Sequence, residues 1–105
     1  MNYRDPASRI RRIPRSELAN VLRALELEKA ELEGRIDSII AKYTDVWDRE
    51  IAAAKAARRR PDFTAIAAKT RRLAEQKEAA YAARRESLIY ERIRLVKARM
   101  NGEEV

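Results

Sequence analysis

Apolar residues recur every seven positions through the first half of the chain. Two lines of repeats alternate in steps of four and three residues, which is the spacing of a coiled-coil seam. The lines contain Leu18, Leu25, Leu32, Ile39, Val46 and Ala53, and Leu22, Ile36, Tyr43 and Ala57. Lys29 and Glu50 interrupt the second line, and polar seam residues fix helix register while lowering stability. The pattern predicts a first helix over residues 16–59, with Ser16 as its N-cap.

The segment RRRPDF, residues 58–63, interrupts this pattern. The residue before a proline disfavours helical backbone, so the first helix should end just before Pro61. Asp62 is a favourable N-cap for a second helix, which we expect over residues 63–101. A turn at residues 60–62 is too short to separate two domains, so the helices must lie antiparallel. The predicted fold is all-α, a long antiparallel helical hairpin of the coiled-coil type.

The two ends of the chain differ from the predicted hairpin. Residues 1–15 contain five arginines, Pro6 and Pro14, and they show little periodicity. This composition predicts a flexible basic arm. Residues 102–105, with the sequence GEEV, form a short acidic tail.

The apolar surface is wider than a two-helix seam can bury. Further apolar residues flank the seam of the first helix, and the second helix has two apolar groups about 100° apart. Exposed apolar flanks mark contact surfaces. We therefore predict a partner-helix interface made of Val21, Ile40, Trp47, Ile89, Ile93, Val96 and Met100. A homodimer that closes a four-helix bundle is the expected partner. Two alternatives are that Ile10 and Ile13 of the arm fold back over this surface, or that a different protein covers it.

Positive charge is concentrated in two segments. The chain has a net charge of +7, with +4 in residues 1–15, −4 in residues 16–54 and +6 in residues 55–72. Attraction between an acidic first helix and a basic second helix explains many charges on the helix bodies. It does not explain the excess in the two basic segments. Candidate residues that bind nucleic acid or an acidic partner are Arg9, Arg11, Arg12, Arg15, Lys55, Arg58, Arg59, Arg60, Lys69, Arg71 and Arg72.

Nucleic-acid phosphate is the commonest partner of such basic segments. Few aromatic residues lie nearby, only Tyr3 in the arm and Phe63 at the turn, and no base-reading motif is present. We therefore expect salt-sensitive docking on a nucleic-acid backbone or a nucleoprotein. The alternative function is a protein–protein adaptor or inhibitor that uses its apolar flank and makes no nucleic-acid contact. The charge could also face an acidic protein surface or serve solubility alone.

Several classes of chemistry are absent from the sequence. It contains no cysteine and no histidine, so disulfides, thiolate metal sites and histidine acid–base catalysis are excluded. No phosphate-binding glycine loop occurs. We expect no enzyme activity, no cofactor and no metal.

The sequence contains no apolar run of about 18 residues, so we expect no membrane span. The N-terminus lacks an apolar signal region. A cytoplasmic protein is therefore expected. GC-rich bacterial codon usage also favours arginine together with alanine, so the arginine content by itself does not indicate phosphate binding.

Overall fold

The computed structural model describes residues 5–105, and every regular element in that range is a helix. In chain order these elements are α1 (Pro6–Arg11), a 3₁₀ helix (Arg15–Glu17), α2 (Leu18–Ala56), α3 (Phe63–Ser87) and α4 (Ile89–Met100). The all-α prediction is therefore confirmed. None of these helices is both long enough and apolar enough to span a membrane.

The described residues divide into two compact units. The corner unit is Gly34–Ala82, which contains the second half of α2, the following turn and most of α3. The terminal unit combines the described residues up to Glu33 with Ala83–Val105. It contains α1, the 3₁₀ helix, the first part of α2, the end of α3 and all of α4. The basic turn and the N-terminal arginines consequently belong to different units.

The corner unit is an antiparallel helical hairpin, as predicted. Trp47 of α2 donates its indole N–H to the Thr70 hydroxyl of α3 at 3.1 Å. Glu50, about one turn further along α2, forms an ion pair with Lys69, which precedes Thr70. Residue numbers therefore rise along α2 while those of their partners fall along α3, so the two helices run in opposite directions. The buried residues of this unit are Ile36, Ala54, Ile66, Thr70 and Ala80.

The interior face of α2 departs from the predicted seam near the end of the helix. The heptad lines place Ala53 and Ala57 inside, but both are exposed, whereas Ala54 is only 1% exposed. A straight α-helix shifts by about 20° per heptad relative to a strict seven-residue repeat. By the last turns of α2 this shift has moved the interior position by one residue. The same shift turns Trp47 towards α3.

The turn between α2 and α3 begins three residues earlier than predicted, because α2 ends at Ala56. Arg58 has a left-handed backbone with φ of 55°. Its N–H donates to the Lys55 carbonyl, and the N–H of Arg59 donates to the Ala54 carbonyl. This Schellman arrangement satisfies the last carbonyl groups of the helix. The left-handed residue therefore ends α2 before the proline does.

Of the N-cap residues predicted for the two long helices, the structure confirms one. Helix α3 begins at Phe63, and Asp62 Oδ1 accepts the N–H of Ala65 at 3.0 Å, which confirms the predicted N-cap. The predicted cap at Ser16 is corrected, because that residue lies within the 3₁₀ helix that begins at Arg15 and continues into α2.

In the terminal unit, α1 packs against α4 and covers part of its apolar surface. Ile10 is buried, and Ile13 packs against the same core. Arg99 of α4 donates from Nη1 to the carbonyl oxygen of Ile10 at 2.6 Å and to that of Ile13 at 2.5 Å. The predicted flexible arm is corrected for its described part: the segment folds back as the first alternative proposed. Residues 1–4 of that arm lie outside the described residues.

The predicted second helix over residues 63–101 is interrupted at Leu88, which has a left-handed backbone (φ 54°, ψ 34°). The Ser87 hydroxyl stabilises the break, because it donates to the Arg84 carbonyl at 2.9 Å and accepts the N–H of Ile89 at 3.2 Å. The sequence contains neither glycine nor proline at this point. The interruption therefore does not come from a helix-breaking residue, and the local contacts of Ser87 accompany the packing of α4 in the core.

Helix α4 places four of its apolar residues in the core of the terminal unit. Ile89 and Val96 are 0% exposed, Leu95 is 6% exposed and Ile93 is 8% exposed. Leu18 and Leu25 of α2 and Ile10 of α1 belong to the same cluster. Part of the wide apolar surface that suggested a dimer is thus covered within the chain by α1 and α2. The homodimer itself stays a prediction.

Candidate functional site

The seven cations predicted around the turn are all exposed in the corner unit. Lys69 forms an ion pair with Glu50, and Arg71 forms one with Glu75 at 3.2 Å. Such exposed pairs contribute little to stability, but they reduce the charge available to a partner. The cations of α3 near the turn are therefore partly used within the chain.

Besides Arg72 of α3, four cations at the turn itself have no such partner. No ion pair or side-chain hydrogen bond involves them within residues 5–105. We call this group the basic corner, and it consists of Lys55, Arg58, Arg59 and Arg60. Asp62 is the acidic residue in the same turn, and its carboxylate accepts the N–H of Ala65 as the N-cap of α3. The basic corner thus presents concentrated positive charge that the chain itself does not neutralise.

Arg58 occupies a position that favours glycine. Left-handed backbone costs a residue with a Cβ atom about 1–2 kcal/mol relative to the right-handed form, and glycine avoids that cost. Helix α4 ends in the same kind of motif with Gly102, at φ of 82°. The chain therefore has an arginine at the end of α2 where the equivalent position of α4 has a glycine. An unfavourable backbone that persists in this way is a reason to look for a role of the side chain.

An aromatic cluster borders the basic corner. Phe63, the first residue of α3, is 58% exposed and stacks on Trp47 with ring centroids 6.2 Å apart and an angle of 19° between the planes. Tyr43 contacts the Trp47 ring at 6.1 Å, and Lys77 lies over the Tyr43 ring at 5.1 Å. Phe63 was not among the predicted site residues. The available signal was its position immediately after the basic turn.

The N-terminal arginines have different surroundings from those of the basic corner. Arg11 lies 3.8 Å from the Asp5 carboxylate and donates from Nε to the Ala7 carbonyl at 3.3 Å. Arg15 donates to the Arg99 carbonyl at 3.4 Å. Arg9 and Arg12 are exposed and make no ion pair within the described residues. About half of these cations therefore contact other groups of the terminal unit.

Three of the seven residues of the predicted partner-helix interface are buried in the structure. Ile89, Ile93 and Val96 are in the core of the terminal unit, and they are inaccessible to a partner while α1 is in place. Trp47 lies inside the corner unit, where it contacts Thr70 and Phe63. The residues of the predicted interface that stay at least partly accessible are Val21, Ile40, Trp47 and Met100.

A groove of about 740 Å³ lies in the terminal unit between α1, the first part of α2 and the break at Leu88. Its floor is apolar and includes Ile13 and Val21. Its charged residues are Arg9, Arg85, Glu86 and Arg92. Arg92 is already paired with Glu28 at 2.8 Å. The groove thus combines an apolar floor with an excess of positive charge at its edge.

Neither site has an arrangement suited to metal binding. Within residues 5–105, no group of three or more His, Cys, Asp or Glu side chains could hold a metal ion.

Comparison of the chain with protein-family models, with curated proteins and with solved structures finds no match.

Proposed function

We propose that this protein is a non-enzymatic accessory protein that docks through its basic corner on nucleic acid or on a nucleoprotein complex. The observation that supports this most strongly is the presence of four adjacent, exposed cations with no carboxylate partner within residues 5–105. Repulsion among these charges lowers the stability of the free protein, and phosphate groups would relieve it. Release of counterions from the nucleic acid supplies favourable free energy for binding.

The N-terminal arginines have a secondary part in this proposal. Arg9 and Arg12 are exposed and add positive charge that attracts a polyanion over a longer range. Arg11 and Arg15 already contact groups of the terminal unit. Docking is directed at the nucleic-acid backbone, because the basic corner offers charge without a recognition helix that would contact base edges.

A salt titration of binding tests the proposal. A fluorescently labelled oligonucleotide is titrated with protein at several salt concentrations between about 50 and 200 mM, and binding is followed by fluorescence anisotropy. The variant Arg58→Gln/Arg59→Gln/Arg60→Gln should lower the affinity about tenfold or more. It should also reduce the slope of log K against log salt by about two to three, because three phosphate contacts are lost.

A matched control removes the same charge elsewhere. Arg35, Lys42 and Lys97 are exposed, and no ion pair involves them within the described residues. Replacing all three with glutamine lowers the net charge by the same amount as the corner variant. This control should retain most of the affinity and the salt slope. Equal losses in the two variants would show that total charge, rather than the basic corner, determines binding.

A second candidate function is supported by the groove of the terminal unit. Its apolar floor and its excess of arginine at the edge are complementary to an amphipathic helix that carries acidic residues beside its apolar face. The chain would then act as a protein–protein adaptor. Charging Ile93 or Val96 is not a useful test, because both side chains are in the core.

A charge exchange at the edge of the groove tests this second candidate. The probe is a synthetic helical peptide with leucines at positions i, i+3 and i+7 flanked by glutamates, and its control has lysines in place of the glutamates. The native protein should bind the acidic peptide more tightly, and Arg9→Glu/Arg85→Glu should reverse the preference. An unchanged preference in that variant, or no binding of the acidic peptide, would contradict the adaptor function.

A further inference from the structure

Phe63 presents one face of its ring to solvent at the edge of the basic corner. Its side chain is 58% exposed, and its contact with Trp47 is close to parallel, with 19° between the ring planes. An exposed phenylalanine by itself needs no explanation. This one is notable because Arg58, Arg59 and Arg60 precede it by only three to five residues. Charge and an accessible aromatic face are therefore adjacent in the same turn.

The ring of Phe63 is supported from behind by a fixed set of contacts. The Trp47 indole N–H donates to the Thr70 hydroxyl at 3.1 Å, and that hydroxyl donates to the Ile66 carbonyl at 2.9 Å. Thr70 is 1% exposed, so this pair of hydrogen bonds lies in the interior of the corner unit. Tyr43 packs against the same indole ring. The aromatic surface at Phe63 is consequently held in place before any ligand arrives.

Positive charge beside a fixed aromatic face is the combination that binds unpaired nucleotides. Cations neutralise the phosphates, and an aromatic ring stacks on a base whatever its identity. Duplex bases are stacked on one another, so their faces are not available to a side chain at the surface. A site of this kind therefore distinguishes single strands from duplexes, which a purely electrostatic surface does not.

We propose that the basic corner binds single-stranded nucleic acid, with one unpaired base stacked on the outer face of Phe63. This inference rests on the proposed function, since it requires that phosphates contact the basic corner. It adds the class of substrate and the residue that selects it. Stacking is tolerant of sequence, so the site prefers unpaired nucleotides without reading a particular sequence.

The test uses Trp47, the one tryptophan of the chain, as an internal reporter. The probes are a twelve-nucleotide oligothymidine and a duplex of the same length. Because Trp47 packs on Phe63, a base that stacks there should change the tryptophan fluorescence, whereas phosphate contacts alone should change it little. Oligothymidine should bind more tightly than the duplex and should alter the emission of Trp47.

Two substitutions at Phe63 separate stacking from packing. Phe63→Leu keeps an apolar contact with Trp47 but removes the aromatic face, and it should weaken oligothymidine binding by roughly 5- to 100-fold. Phe63→Tyr keeps the face and should bind as the native chain does. Neither change should alter duplex affinity or the salt slope. Leu27→Ala, at an apolar residue that is 68% exposed, is the control and should have no effect.

The outcomes distinguish this inference from the proposed function. Equal affinity for oligothymidine and duplex, with no effect of Phe63→Leu, would overturn the inference while corner-dependent, salt-sensitive binding still supports the proposed function. Binding of neither probe at low salt would overturn both. A loss of duplex and oligothymidine affinity together in Phe63→Leu, accompanied by a lower melting temperature, would assign Phe63 a packing role and overturn the inference.

Discussion

The two basic segments of this chain have similar compositions and different structural roles. Each combines several arginines with proline, and the sequence alone suggests the same function for both. The N-terminal segment also contains Ile10 and Ile13, whose spacing of three residues places them together against the core. Residues 55–60 of the basic corner contain no large apolar residue, and the first one that follows, Phe63, is mostly exposed. Apolar neighbours, rather than charge, thus decide which basic segment becomes part of the fold.

Hydrogen bonding reinforces this difference. In the terminal unit, Arg99 donates to the carbonyl groups of Ile10 and Ile13 and so satisfies the C-terminal end of α1. The basic corner makes no comparable side-chain contact within the described residues. Basic residues in the terminal unit therefore stabilise structure, whereas those of the basic corner are available to a partner.

The largest expected effect comes from removing the apolar anchor of α1. Ile10 is 4% exposed in the core, so Ile10→Ala should lower the free energy of unfolding by about 2–5 kcal/mol. Denaturant unfolding followed by circular dichroism measures this change. Arg58→Gln/Arg59→Gln/Arg60→Gln should leave the stability within about 0.5 kcal/mol of the native value or raise it, since surface changes are usually small. If Ile10→Ala had no effect, α1 would not be docked.

A smaller loss is expected when Arg99 is replaced. Arg99→Met keeps much of the apolar stem but removes the two hydrogen bonds to α1, and the loss should be about 1–3 kcal/mol. Amide hydrogen exchange should show faster exchange in α1. Arg94→Met is the control, because Arg94 pairs only with Glu91 on the exposed side of α4 among the described residues. Equal effects of the two changes would contradict a specific role of Arg99.

At the basic corner, a substitution should increase stability. Arg58 has φ of 55°, and glycine adopts this backbone without strain, so Arg58→Gly should raise the free energy of unfolding by about 1 kcal/mol. Arg59→Gly should lower it or leave it unchanged, since Arg59 has a negative φ. Thermal unfolding measures both variants. A native arginine that lowers stability at this position would agree with a role in binding, whereas a loss of stability in Arg58→Gly would contradict the strain argument.

The smallest effect concerns a polar contact of the terminal unit that titrates. A hydrogen bond from the Tyr90 hydroxyl to Glu33, at 2.8 Å, raises the pKa of Tyr90 above its ordinary value of 10.0. The contact should therefore contribute stability below pH 10, and this contribution should be lost as the pH rises through the raised pKa. Glu33→Gln should lower the pKa of Tyr90 towards the ordinary value. Ultraviolet difference titration of tyrosine, with Tyr90→Phe to assign the signal, measures this change.

Local patterns in the sequence predicted the hairpin but not the packing of its open end. Asp62 specifies the start of α3 through a short-range effect, and the structure agrees, although α2 ends before the position that Pro61 predicts. The break at Leu88 occurs without glycine or proline; the Ser87 hydroxyl stabilises it locally, and α4 packs in the core with α1 and α2. The predicted dimer rested on apolar residues of both long helices, and the structure buries those of α4 at positions 89, 93 and 96 within the chain. Contacts between α1 and α4 join residues that are far apart in the sequence, and such contacts leave no periodic pattern in a segment as short as α1.

The candidate site was also predictable only where it depends on local sequence patterns. Exposure of Lys55 and Arg58–Arg60 follows from a charged turn between two helices. The contact between Phe63 and Trp47 joins residues 16 positions apart on two helices, and it depends on the shift of the interior face along α2. A strict heptad placed Trp47 on the flank, facing a partner. Spacing alone therefore missed the aromatic face that the structure places beside the basic corner.

The central claim, that the basic corner is the surface that meets nucleic acid, is tested most directly by mapping the contact in solution. Backbone amide signals of the isotope-labelled protein are followed by nuclear magnetic resonance while oligothymidine is added at low salt. We predict that the largest shifts occur between Lys55 and Phe63, with little change in α1 or in the groove beside Leu88. The largest shifts in α1 or in that groove would contradict the claim.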